Sequence, residues 1–222
     1  MALEIFWFSG SGFAWRVLLA AELKGIAYTS RLIEASAGDH KTPEFIAMNP
    51  RGKVPVLRDG DTVVTESLAI IAYLDRRFPD PPLFGRTSEE MAQIWRLALD
   101  FDNYAAARFS DFVLPIYFDE VDAHRAQIDA ALGDVLRELA TLEARLENHP
   151  WLAGDTLSAA DIAIYPFVEG LLRAAGKPAA APLDLSYVPL EGTHPALAAW
   201  RQRIIALPGY EGAYPPHWRD AA

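Results

Sequence analysis

The stretch Phe8 to Val17, FSGSGFAWRV, sets two serines and two glycines between an apolar run and an amphipathic segment. Such a turn can cradle a phosphate, raise a nucleophile or face a thiol. Gly10 and Gly12 begin a dinucleotide fingerprint, G-x-G-x-x-G, but Trp15 stands at the third glycine and its bulk blocks close helix packing. A phosphate loop ends in Gly-Lys-Ser/Thr, which is missing. A nucleophile elbow, G-x-S-x-G, needs glycine where Ser9 stands. What remains is a turn that delivers Ser11 to a helix N-terminus, where it either caps the helix or donates to a ligand. Ser9 is its rival for the second role.

Two further stretches bear on binding. In NPRGKVPVL, Pro55 lies in an apparent strand, where it cannot donate a ladder bond. It marks either an edge strand or a cis-proline that turns the backbone of Val54 outward, open to strand addition by an extended ligand. In VTESLAII, Glu66 and Ser67 stand where a strand hands over to a helix. Ser67 is expected to cap that helix, whose N–H groups and dipole make an anion site. Glu66 beside it can receive an ammonium. An α-amino acid end requires that pair of sites.

The elements that position these residues follow from pattern. Residues 3–8 read as a buried strand, and Ala14, Val17, Leu18 and Ala21 form one helical stripe. AYTSRLIE is a second strand, PEFIAMNP a helical turn, and KVPVLRDGDTVVTES a hairpin about Asp59-Gly60. SLAIIAYLDRRF is a helix that ends at Pro79. The order β-α-β-α-β-β-α describes an α/β domain over 1–80. PDPPLFGR, with three prolines, makes 81–87 a linker.

Residues 88–222 then read as an all-helical domain. Thr87 and Glu90 fit a capping box at its start, and Ser158 and Asp161 a second. The first long helix is expected to fray before Pro115. Another spans about 123–148, and Pro166 should kink a third.

Composition excludes several functions. The 222 residues include no cysteine, which removes disulfides, thiolate metal sites and a cysteine nucleophile. A formal net charge of -10 offers no basic face for nucleic acid. The five histidines lack ligand spacing, so no metal site is expected. No apolar run reaches membrane-spanning length. With no visible secretion signal, a cytoplasmic location is the default.

Together these motifs resemble the cytosolic glutathione transferases over nearly the whole chain. That resemblance implies a thioredoxin-like first domain followed by an all-α domain, with glutathione as co-substrate and a homodimer as the assembly. NPRGKVPVL with TESLAIIAYLDRRFP looks like the family's glutathione site, and LAGDTLSAADIAIYPF like its helical capping motif. Ser11, five residues before Arg16, resembles the thiol-activating serine of the serine-type classes, with zeta and tau nearest in pattern. The resemblance implies that Val54 pairs with the cysteinyl unit, with Pro55 cis. It implies that Glu66 and Ser67 hold the γ-glutamyl end, and that Lys41 and Lys53 meet the glycyl carboxylate. Phe13, Phe109, Phe112, Tyr117 and Tyr165 are expected to line the pocket for a small hydrophobic electrophile. Gly12 and Phe13 depart from the Ser-Cys of zeta isomerases, which counts against maleylacetoacetate isomerisation. A non-catalytic ligand-binding role is the other alternative. The tail YEGAYPPHWRD either folds over the site or packs on the surface.

Overall fold

Strand β1, Glu4–Trp7, runs parallel to β2, Thr29–Leu32, and antiparallel to β3, Val56–Asp59. β3 turns back into β4, Thr62–Thr65, giving a four-stranded sheet of order β2-β1-β3-β4. These details come from a computed structural model, which describes residues 3–219. Asp59 pairs with Thr62, so Gly60 and Asp61 form the turn, and Gly60 has φ 62°. Only a primed turn suits the strand twist, and it needs that positive φ.

Side chains alternate across the sheet. Phe6 and Val56 face α2, Pro43–Met48, and close on its Phe45. Ile5 and Leu57, one residue along and fully buried, take the other face, against α1, Gly12–Leu23, and α3, Ser67–Arg77. The β1-α1-β2 crossover is what makes the first pair parallel.

The chain divides into two compact units. One runs through Phe84 and resumes at Ile205; the other is Gly85–Ile204. The segment from Ile205 therefore belongs with the first unit, whereas the sequence pattern assigns 88–222 to one helical domain. Its packing explains this. Helix α10, Tyr210–Ala213, lies against α1, and Trp15 meets Tyr214 and Trp218 edge-on at 5.8 and 5.1 Å. Between the sheet, α3 and this tail, eight consecutive α1 residues, Ala14 to Ala21, are buried, not only the predicted stripe. Pro81 and Leu83 are likewise held by the first unit. Lys24 Nζ pairs with Asp75 at 2.7 Å and also donates to the Pro81 carbonyl, and Leu83 N–H donates to Asp75 at 2.7 Å.

The second unit is helical. It contains α4, Ser88–Asp100, a π-helical turn at Phe101–Ala105, α5, Ala106–Tyr117, and α6, Arg125–Leu146. There follow α7, Ala159–Ala175, the short α8, Leu190–Thr193, and α9, Pro195–Ile205. Both capping boxes form. Pro115 does not end its helix: α5 continues to Tyr117. Proline at 115 removes the donor for the Asp111 carbonyl, four residues back. Gln127 Nε2 supplies it instead, at 3.0 Å. Asp161 is fully buried at the start of α7, and burial pushes its carboxyl up. Four donors offset that cost: Leu152 N, Ser158 N, Ser158 Oγ and Trp200 Nε1, at 2.7 to 2.9 Å.

Candidate functional site

Ser11 is the N-cap of α1. Its backbone is extended, and Oγ accepts from Ala14 N–H at 3.2 Å. A capping hydroxyl accepts through a lone pair, so its own proton stays available to a ligand. Cap and donor are therefore compatible roles for one residue. Ser9 Oγ is hydrogen-bonded to Nδ1 of His217, which comes from the tail.

The peptide bond between Val54 and Pro55 is cis, and Pro55 is the residue before β3 rather than inside it. The approach to it is fixed by Asn49, whose Nδ2 donates to the Lys53 carbonyl at 2.7 Å and whose Oδ1 accepts from Arg51 N–H at 3.1 Å. Asn49 is buried, and both ends of its carboxamide are engaged in holding the loop.

At α3 the structure corrects the predicted cap. Glu66, not Ser67, occupies the N-cap, with φ 65° and ψ 115° and no capping bond from its side chain. A non-glycine residue in that region costs about 1–3 kcal/mol, and such outliers cluster at ligand clamps. The Glu66 carboxylate is 72% exposed, with Arg51 4.0 Å away. Ser67, buried as the first helical residue, accepts instead from Arg16 Nε at 2.7 Å. The Arg16 guanidinium also lies 4.8 Å over the Phe13 ring.

Phe13, Asn49, Arg51, Lys53, Val54, Pro55, Glu66 and Ser67 line one cavity of about 160 Å³ within the first unit. So most of the predicted binding residues converge. Ser11 lies two residues before Phe13 and outside the lining. Lys41 also lies outside it, exposed at the end of the turn Asp39–Lys41. The cavity carries Arg51 and Lys53 as cations, Glu66 as an anion and Ser67 as a hydroxyl. It suits a small zwitterion with an extended backbone and a second carboxylate.

Three predicted pocket aromatics are core residues instead. Phe109, Phe112 and Tyr165 are at most 1% exposed. They pack edge-on against Phe101, Tyr187 and Trp200 respectively, with centroids at 5.3, 6.3 and 5.8 Å. Such rings fill a helical interior and are closed to a substrate. Tyr117 is half-buried, with its hydroxyl 3.5 Å from the Gly170 carbonyl and Lys177 Nζ 5.1 Å over its ring. Phe13, 38% exposed, is the predicted pocket aromatic that does line the cavity, beside Val54 and Pro55.

Sequence reasoning missed Arg16, Asn49, Arg51 and His217 as parts of this region. For Arg16 a signal existed: a lone charge within an otherwise apolar helix face requires a buried partner. Among the described residues, no cluster of acidic, histidine or cysteine side chains is fit to hold a metal ion.

Comparison with known proteins bears on the family and the fold. Residues 10–77 match the family model for the glutathione S-transferase N-terminal domain, and residues 105–208 that for its C-terminal domain. The chain is 30% identical over 198 residues to glutathione S-transferase 1 of Dianthus caryophyllus, covering 85% of this chain and 83% of that one. It is 29% identical over 231 residues to a probable maleylacetoacetate isomerase of Vibrio cholerae, covering 100% and 99%. Among solved structures, a glutathione S-transferase from the Antarctic clam Laternula elliptica superposes with a TM-score of 0.82 at 27% identity, covering 99% of this chain and 95% of that one. With both domain models matched and the cis-proline cavity in place, the chain belongs to the glutathione S-transferase family.

Proposed function

We propose that this glutathione transferase holds glutathione in the cavity of its first unit and stabilises the thiolate through the Ser11 hydroxyl, for attack on small hydrophobic electrophiles. The observation that carries the reading is the convergence of Lys53, Val54, cis-Pro55, Glu66 and Ser67 on one cavity beside the first turn of α1. Glu66 receives the γ-glutamyl ammonium. Ser67 and the start of α3 receive the α-carboxylate, since Arg16 already donates to the Ser67 oxygen and leaves its proton for the ligand. The backbone of Val54 pairs with the cysteinyl unit, and Lys53 meets the glycyl carboxylate. Lys41, outside the lining, acts only through its charge.

A free thiol titrates near 8.5, so only a few per cent is thiolate at neutral pH. Lowering that value by about two units needs roughly 2.7 kcal/mol of preference for the anion. One hydrogen bond to a charged acceptor contributes about 1.5–3 kcal/mol, and a helix N-terminus about 0.3–1 kcal/mol more. Ser11 at the start of α1 offers both. The serine thus holds the anion and does not take its proton, which leaves to solvent. The sulfur then attacks an electrophilic carbon beside Phe13; with an aryl halide the C–S bond forms, the carbon–halogen bond breaks and halide leaves to solvent.

Replacing Ser11 with alanine tests this. Turnover with a model aryl halide should fall more than about tenfold, while glutathione affinity stays within a few-fold, because the lost bond acts on the charged sulfur. Undiminished turnover in S11A would sink the assignment.

The Vibrio cholerae relative, matched over its whole length, supports glutathione-dependent cis-trans isomerisation as a second reading. Turnover of maleylacetone beside the aryl halide separates the two. We place the protein in the cytoplasm as a homodimer, as the family resemblance implies. No helix among the described residues is long and apolar enough to cross a membrane.

A further inference from the structure

The tail beyond α9 carries a side chain that the reaction as proposed does not use. Tyr214 and Trp218 anchor the tail on Trp15, and they also pack on each other, with centroids 5.9 Å apart. That anchorage delivers His217, in the turn Pro216–Trp218, to the loop between β1 and α1. There its Nδ1 is hydrogen-bonded to Ser9 Oγ across 208 positions of sequence. Its ring also sits on Gly10: a Cβ at that position would lie 3.2 Å from Cε1 and 3.4 Å from Nε2. Gly10 has φ 87°, which favours glycine, and a Cβ there would press on the ring.

The loop's own closure is weak. Ser11 N–H reaches the Phe8 carbonyl at 3.3 Å, long for a bond that must fix a turn. The imidazole supplies what that bond lacks, a grip on the two residues between Phe8 and Ser11. With Nδ1 as acceptor, the single proton of Ser9 is committed to the ring, and Ser9 is no longer a thiol donor.

We propose that His217 is a positioning residue for thiol activation: through Ser9 and Gly10 it fixes the Phe8 to Ser11 turn and so aims the Ser11 hydroxyl at the glutathione sulfur. The proposal rests on Ser11 being the thiol donor. It gives the C-terminal tail a role in the chemistry of the first unit although it supplies no atom to the reacting groups.

The test uses the full chain with H217A, H217N, S9A and the double variant S9A/H217A. Two quantities are read: the fraction of bound glutathione present as thiolate at neutral pH, from its ultraviolet absorbance, and kcat with an aryl halide. H217A and S9A should each lower both by about three- to tenfold, short of the roughly hundredfold cost of a 1 Å misplacement. Glutathione affinity should change less than about twofold, because the residues that hold the peptide are untouched. The double variant should be no worse than either single one, as for two groups acting through one contact. H217N, whose carboxamide can still partner Ser9, should recover most of the loss. Normal thiolate fractions in folded H217A and S9A would overturn the proposal. If H217A does not fold, S9A, which removes one hydroxyl from a half-buried site, decides. S11A separates the two levels. Full activity there removes the thiol-donor reading and this one with it. An inactive S11A beside normal S9A and H217A removes the positioning role alone.

Discussion

Arg16 shows how one buried charge can serve a site it does not line. Its side chain is 2% exposed, an environment that penalises a lone guanidinium heavily. Nε donates to Ser67 Oγ, and the planar group stacks on Phe13. One consequence concerns binding. Arg16→Met removes the donor that orients the Ser67 hydroxyl while conserving much of the volume. Glutathione affinity should fall about tenfold, the equivalent of one charge-assisted hydrogen bond, with kcat at saturation within about threefold. Titration with glutathione and steady-state kinetics check it, and an unchanged affinity would refute the role. That Glu66 and Ser67 stand together at a strand-to-helix step was legible, because strand, carboxylate, hydroxyl and helix follow one another in sequence, and both line the cavity. The exchange of their structural roles was not. It depends on Arg16, 51 residues away, and periodicity says which face a helix buries without saying what meets it.

At the scale of elements, local chemistry was readable and remote compensation was not. The capping boxes at Thr87 with Glu90 and Ser158 with Asp161 form as their spacing predicts, since all partners lie within one turn. The helix through Pro115 was misread because its repair comes from Gln127 on the next helix. The hairpin was readable from Asp59-Gly60, but its turn is Gly60-Asp61, one position on, because Asp59 still pairs with Thr62. The first box makes a pH prediction. Backbone N–H groups of Arg86 and Thr87 hold the Glu90 carboxyl below its usual value of 4.5. A depressed folded value means that the folded state releases this proton more readily than the unfolded chain. The box therefore contributes stability above about pH 4.5, and loses it as pH falls through the lowered value. Glu90→Gln keeps an acceptor for the cap but no titration. Thermal midpoints measured between about pH 5 and 3 should fall less steeply in E90Q than in the parent. Parallel slopes would show that the cap carries none of the acid sensitivity.

At the scale of the whole molecule, the chain leaves the first unit after Phe84 and returns to it at Ile205. The first crossing is written in composition, as three prolines and a glycine. The second is marked more faintly, by Pro208-Gly209 just after α9 ends, because α9 itself runs up to the crossing. What the sequence does show is aromatic density in the tail, and the structure uses it: Tyr210, Tyr214 and Trp218 close over α1. A chain that stops after Ala206 should therefore damage the first unit, not the second. Trp15, only 2% exposed, loses its cover, and the exposed ring and its neighbours cost about 3–5 kcal/mol, the scale of removing a buried aromatic. The truncated chain should keep most of its helical circular dichroism, which the second unit dominates, while losing retention on immobilised glutathione. A synthetic peptide spanning 207–222, added in excess, should restore retention by binding the folded unit. A tail that belonged to the helical unit would give the reverse: loss of helix signal with glutathione binding intact. The truncation thus reads the topology of the fold directly, since only a first unit built from both ends of the chain ties glutathione retention to the last sixteen residues.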